Sequence, residues 1–221
     1  MFRAVGFDMD GTLIDSDIDY ERLSNVERDV MLSLGIPEKV FSHIQSEKGM
    51  IEAGAEYLQS TGSEIGFREL NDMIDKESND IELSTLSLSK PYPGVKELLE
   101  ELKSKGYLIG LLSRGHREYV TETMNKFSLL GYFDAVEAYD DHPVGEQKPN
   151  PIAMEYLAKD LGIETKDILY VGDAITDYLC ARDSGAGFIG VSQNEHNRRC
   201  WDSVKDDVEV LKSISELIGR F

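Results

Sequence analysis

Arg3-Ala4-Val5-Gly6-Phe7-Asp8-Met9-Asp10-Gly11-Thr12-Leu13 decides how the rest of the chain is read. Ala4, Val5 and Phe7 make a short apolar run, and a carboxylate followed by Gly-Thr ends it, which reads as a buried strand running into a tight turn. Ligand sites in open α/β sheets lie at such carboxyl ends. Strand side chains alternate, so Asp8 and Asp10 would share a face only if the strand continued. Gly11 predicts a turn instead, and the two carboxylates then approach one point from different directions. Alone, they would read as solvated turn residues. The apolar flank and three further segments downstream argue otherwise.

From Pro93 onward helical and strand patterns alternate, which predicts right-handed crossovers and a parallel sheet. Strands are read at residues 107–112, 135–138, 168–171 and 188–191. Between them lie helices through Val95 and Leu102, through Val120 and Phe127, through Ala153 and Leu161, and from Ile175 to Ser184. Gly106, Gly162 and Gly185 stand where three of these should stop. Ser213 and Glu216 have the spacing of a capping box for a last helix. No strand is read between Asp17 and Ser89. Leu23, Val26, Val30 and Leu34 fall at helical spacing before Gly35, and further helices are read at residues 48–59 and from Phe67 towards Leu86. The expectation is an α/β fold in which residues 1–15 and 90–221 form a Rossmann-like parallel-sheet core. Residues 16–89 form an inserted all-helical domain, and Lys90-Pro91-Tyr92-Pro93-Gly94 is a stiff return.

The 221 residues include 42 acidic and 23 basic ones, for a formal charge of −19. Such a charge opposes approach to nucleic acid or to an anionic membrane surface. It also repels any phosphorylated small molecule, unless a cation and a lysine make the site itself positive. Cys180 and Cys200 are too few and too far apart for a disulfide framework or a thiolate zinc site. No basic, apolar and small-residue leader precedes the first strand, and no apolar run reaches membrane-spanning length. A reduced, cytoplasmic setting is expected.

If the sheet is parallel, Asp8, Asp10, Ser113, Lys148, Asp173 and Asp177 converge at the carboxyl ends of its strands. Carboxylates gathered this closely need a cation to offset their repulsion. An all-oxygen donor set selects a hard ion, and Mg²⁺ fits. His43, His142 and His196 are isolated and carry no assigned role. His116 reads as a surface residue at a helix start, and Asp140-Asp141 as a solvated acidic loop.

Asp8-Met9-Asp10-Gly11-Thr12, then Leu111-Leu112-Ser113, then Lys148-Pro149, then Val171-Gly172-Asp173 with Asp177 four residues on, resemble in order the four motifs of the haloacid dehalogenase superfamily. The likeness is to its phosphatase branch, phosphoglycolate phosphatase-like, and spans nearly the whole chain. It implies a core with a helical cap, an aspartyl-phosphate formed on Asp8, and Asp10 as general acid and base with its backbone carbonyl on the metal. It further implies Asp8 and Asp173 as direct Mg²⁺ ligands, Asp177 orienting that shell, and phosphate held by Ser113, Lys148 and the backbone at Met9 and Arg114. With a reference pKa of about 3.9, Asp8 is expected to be ionised at neutral pH. One departure stands out: the second motif commonly continues with Asn, and here Arg114-Gly115-His116 follows Ser113. Arg114 either adds a cationic contact to an anionic substrate or pairs with a local acid. The function implied is Mg²⁺-dependent hydrolysis of a small phosphorylated metabolite. A phosphomutase would return the phosphoryl group to a sugar instead of to water. A non-catalytic phosphate-binding regulatory module would bind without turnover.

Overall fold

The structure is a computed structural model that describes residues 2–193, 200–204 and 207–221. β1 (Ala4–Phe7) is buried at every position, as befits a strand covered on both faces of a parallel sheet. Beyond it the Met9 carbonyl accepts from the amides of Thr12 (3.4 Å), Leu13 (2.9 Å) and Ile14 (2.9 Å), closing the predicted turn. β2 (Ile14–Asp15) follows, then the helices α1 (Tyr20–Leu23), α2 (Val26–Ser33), α3 (Glu47–Ser60) and α4 (Phe67–Thr85). β3 (Lys90–Pro91) pairs antiparallel with β2, a ribbon that periodicity cannot reveal because two residues have no period.

The chain then alternates as predicted: α5 (Val95–Ser104), β4 (Leu108–Leu112), α6 (Arg117–Lys126), β5 (Ala135–Glu137), α7 (Ile152–Asp160), β6 (Ile168–Gly172), α8 (Ile175–Ser184) and β7 (Gly187–Val191); a further strand, β8 (Val210–Leu211), is not among those read from the sequence. Ser213 caps a last helical element that is a single 3₁₀ turn, Ile214–Leu217, its hydroxyl accepting from the Ser215 amide; the reciprocal arm of a capping box is not made, because Glu216, inside the turn, accepts from the Lys212 amide at 3.1 Å.

All six strands of the main sheet run parallel, in the order β5-β4-β1-β6-β7-β8. From β1 the chain works outward through β4 to β5, then returns to lay β6, β7 and β8 on the other side. The winding therefore reverses between β1 and β6. Ligands in doubly wound sheets bind in the crevice opened at that reversal. Phe7 pairs with Val171, so the chain leaves β1 at Asp8 and β6 at Asp173 on either side of the crevice. Against one face of the sheet α7 packs Ala153, Met154, Leu157 and Ala158, in a cluster with Ala4, Leu112, Ile168 and Tyr170.

The chain divides into two compact units, one comprising Met1–Asp17, Leu86–His142 and Glu146–Phe221, the other Ile18–Thr85 with Pro143–Gly145. The second is helical. Its α4 buries Leu70, Ile74, Ser78, Ile81, Glu82 and Thr85, the i, i+4, i+8 stripe of an amphipathic helix. Leu70, Ile74 and Ile81 join Val26, Met31, Ile36, Phe41, Ile51, Ala55 and Leu58 in one core, on which Val144 also packs. Among the described residues no helix is long and apolar enough to cross a membrane.

Candidate active site

Asp8 and Asp173 stand at the ends of β1 and β6, and Asp177 in the first turn of α8. One carboxylate oxygen from each lies within 4.8 Å of the others, and all three residues are buried. The α8 N-terminus fixes Asp177, whose Oδ2 accepts from the Ala174 amide at 3.0 Å. Gly172 makes room for it: a Cβ there would lie 2.5 Å from the Asp177 side chain, so only glycine lets the carboxylate fold back over the strand end. Lys148, 3 % exposed, joins the group from the loop before α7. Its Nζ donates to Asp8 Oδ1 at 2.6 Å, Asp177 Oδ1 at 2.7 Å and the Tyr170 hydroxyl at 2.9 Å, so all three ammonium protons have acceptors. Tyr170 in turn donates to the Leu112 carbonyl at 2.7 Å.

Asp10 sits in the turn after Asp8. Its carboxylate is not part of the three-carboxylate group. Instead, Oδ1 accepts from the Tyr119 hydroxyl at 2.7 Å. Ser113 ends β4, where its buried hydroxyl accepts from the Gly115 amide at 3.0 Å. Arg114 is exposed and makes no ion pair among the described residues. The structure therefore brings Asp8, Asp173, Asp177 and Lys148 into one cluster, with Asp10, Ser113 and Arg114 on the strand-end loops beside it.

Comparison with known proteins gives the arrangement a family. The pattern of the haloacid dehalogenase-like hydrolases matches residues 5–191. The chain belongs to that family. This hydrolase is 29% identical over 227 residues to a phosphoglycolate phosphatase of Vibrio parahaemolyticus, covering 98% of this chain and 94% of the relative. It is 31% identical over 191 residues to phosphoglycolate phosphatase 1 of Pseudomonas aeruginosa, covering 83% of this chain and 66% of the other. Among solved structures, β-phosphoglucomutase from Clostridium difficile superposes with a TM-score of 0.64 at 19% identity, covering 100% of this chain and 95% of that one.

Burial sets the electrostatics of the hydrolase site. It pushes the Asp8 carboxyl up to about 7; Lys148 pulls the other way, and the charges of Asp177 and Asp10 add to the rise. This revises the expectation of a fully ionised Asp8: the reference value assumes water around the carboxylate, and the strand end has little. Burial alone would lower the Lys148 ammonium, yet Asp177 and Asp8 hold it well above its ordinary value. With Asp8 ionised, three carboxylates against one ammonium leave two negative charges uncompensated, the charge of one divalent cation. With oxygen donors only, the cluster fits Mg²⁺.

Several side chains differ from their sequence reading. His116 is buried, not a surface residue: it N-caps α6 and its ring lies against Tyr139 with centroids 4.9 Å apart. Asp140 and Asp141 are exposed, as expected of a solvated acidic segment, but they are also paired. Asp140 accepts from the Arg117 amide at 2.7 Å, and Asp141 pairs with the Arg117 guanidinium. His142, read as isolated, stacks on Tyr156 at 3.7 Å and bonds Glu137 at 2.6 Å. His43 keeps no role, and His196 lies outside the described residues.

Three supporting residues escape sequence reasoning: Tyr119, Tyr170 and Gln193. The Gln193 amide donates to the carbonyls of Gly11 (3.3 Å) and Thr12 (2.6 Å), while its Oε1 accepts from the Ile214 amide at 2.9 Å, pinning the turn after the Asp8 strand. Tyr170 falls in the apolar pattern of its strand, and Tyr119 at a helix start carries no pattern of its own. Only their hydroxyls, whose partners come from other segments, reveal more.

Proposed function

We propose that this hydrolase is a Mg²⁺-dependent phosphomonoesterase acting on a small phosphorylated metabolite, with a short phosphorylated acid of the phosphoglycolate type as the leading substrate. The observation that carries the reading is the buried cluster of Asp8, Asp173 and Asp177 about Lys148 at the switch point of the sheet. The names of the curated relatives support the substrate class.

Phosphoryl transfer asks for an in-line nucleophile, offset charge and a proton for the departing oxygen. Asp8 attacks phosphorus, the ester P–O bond breaks, and the departing oxygen takes the Asp10 proton. Water then attacks the aspartyl-phosphate and gives a proton to Asp10, the Asp8–phosphorus bond breaks, and inorganic phosphate leaves. Asp8, Asp173 and Asp177, with the backbone carbonyl of Asp10, would hold Mg²⁺, which supplies positive charge beside the phosphoryl oxygens. Lys148 orients the Asp8 carboxylate through its 2.6 Å bond. Because the Ser113 hydroxyl accepts from Gly115, its own proton is left for a phosphoryl oxygen. Arg114 would meet the phosphate or a second anionic group, such as the carboxylate of a phosphorylated acid. To the helical domain, residues 16–89, we assign the cap role of reading the leaving group.

The test is phosphate release across phosphorylated short acids, sugars, nucleotides and pyrophosphate, with Mg²⁺ and with chelator. The expected result is Mg²⁺-dependent release of one phosphate per molecule of a short phosphorylated acid, abolished in Asp8→Asn. Isomerisation of a sugar phosphate without free phosphate would make the chain a phosphomutase. Binding of Mg²⁺ and phosphate with no turnover anywhere on the panel would make it a binding module.

A further inference from the structure

We propose that Tyr119 is a positioning residue for Asp10, holding one carboxyl oxygen so that the proton for the leaving group is carried on the other. The proposal rests on the hydrolase reading above and goes beyond it to a residue that none of the four sequence motifs contains. Tyr119 lies in the first turn of α6 and is 0% exposed. A buried phenol must find a hydrogen-bond partner, and a backbone carbonyl would serve. Here the partner is Asp10 Oδ1, at 2.7 Å and 109 residues away.

The departure in the second motif explains how the ring gets there. A Cβ on Gly115 would sit 2.9 Å from Tyr119 Cδ1, closer than carbon atoms pack. The glycine two residues after Ser113 is thus the seat of the Tyr119 ring. Gly115 and Tyr119 act as a pair, one clearing the space that the other fills.

A general acid is effective only when its O–H is aimed at the departing oxygen. An unrestrained carboxyl rotates about its last bond and presents either oxygen. A phenol donating to Oδ1 restrains that plane, and the moving proton is carried on Oδ2. As the Asp8–phosphorus bond forms and the ester bond breaks, the proton passes from Oδ2 to the departing oxygen. As water attacks and the Asp8–phosphorus bond breaks, a proton returns to Oδ2. Tyr119 keeps its own proton throughout.

Tyr119→Phe removes one oxygen and keeps the ring. The experiment compares kcat/KM of the Mg²⁺-loaded wild type and variant on 2-phosphoglycolate, whose alkoxide must be protonated to leave, and on p-nitrophenyl phosphate, whose leaving group departs as a stable anion. With Tyr119→Phe, kcat/KM should fall about tenfold for the alkyl ester and stay within about twofold for the aryl ester. In an Asp10→Asn background the same substitution should have no further effect, since there is no acid left to aim. An equal loss on both esters would mean a merely structural role and overturn the proposal, as would no loss on either. A full loss persisting in the Asp10→Asn background would also overturn it. If the wild type releases phosphate from neither ester, the hydrolase reading falls first and takes the proposal with it.

Discussion

In the metal-free protein, Asp8→Asn should make the fold more stable at alkaline pH. The Asp8 carboxyl is pushed from 3.8 up to about 7, chiefly by burial, with Lys148 opposing. A carboxyl whose pKa is higher in the folded state than in the unfolded one favours folding fully below the unfolded value. It loses that contribution as pH rises through the folded value. At about 1.4 kcal/mol per pKa unit, the displacement is worth about 4 kcal/mol at most above pH 7, and under about 1 kcal/mol at pH 4. Asparagine is a neutral near-isostere whose amide oxygen still accepts from Lys148. In chelator at pH 8.5 the variant should therefore melt above the wild type by about 5–15 °C, since 1 kcal/mol moves the midpoint of a chain of this size by about 2–4 °C. The gain should shrink towards zero at pH 4. Thermal and denaturant unfolding in EDTA across that range measures it. Added Mg²⁺ should raise the wild-type midpoint far more than that of the variant, which lacks one of the proposed ligands. A variant no more stable than the wild type at pH 8.5, or an advantage equal at both pH values, would refute the burial argument.

Gly172→Ala places a Cβ where the Asp177 side chain lies, 2.5 Å away, and should cost about 1–3 kcal/mol of stability and about tenfold in Mg²⁺ affinity; thermal melts and a Mg²⁺ titration read the two. Tyr170→Phe removes an acceptor from Lys148 and a donor from the Leu112 carbonyl, both buried, so denaturant unfolding should register a loss of about 1–3 kcal/mol. Lys148→Met leaves Asp8 and Asp177 facing each other without their shared cation. Turnover should fall more than about 100-fold, and metal-free stability at pH 8 by about 3–5 kcal/mol, read by phosphate release and unfolding respectively.

The parts of the molecule legible in the sequence are those with a repeating pattern or a fixed local order. β1 and β6 are continuous apolar runs, and the alternation after Pro93 implies a parallel sheet, so the convergence of Asp8, Asp173 and Asp177 follows from topology. The ribbon of β2 and β3, and β8, are two residues per strand, too short to carry a pattern. Tyr170 sits in an apolar run and Tyr119 in a mostly polar helix start, and in both places a tyrosine is indistinguishable from a phenylalanine by pattern. Their hydroxyl partners lie 22 and 109 residues away, and nothing local encodes that. His116 reads as exposed from its helix-start position, but the aromatic face of Tyr139 covers it. The upward pull on the Asp8 carboxyl in the metal-free site is hidden from the sequence for the same reason. A reference pKa belongs to a solvated side chain, and burial is a property of the assembled sheet.

The cluster also dictates an order of events in the proposed reaction. The chain carries a formal charge of −19, and the one ammonium in the cluster is already engaged by Asp8, Asp177 and Tyr170. A phosphate ester approaching the metal-free site would meet an excess of carboxylate and a nucleophile that is partly protonated at neutral pH. A divalent cation bound first changes both conditions. It would favour the ionised, attacking form of Asp8, and it would cancel the net negative charge that the phosphoryl oxygens otherwise encounter. Substrate affinity should therefore depend steeply on Mg²⁺, while Mg²⁺ affinity measured without substrate should already be substantial. Substrate that bound equally tightly in chelator would mean that the positive charge needed at the strand ends comes from somewhere other than the carboxylate cluster.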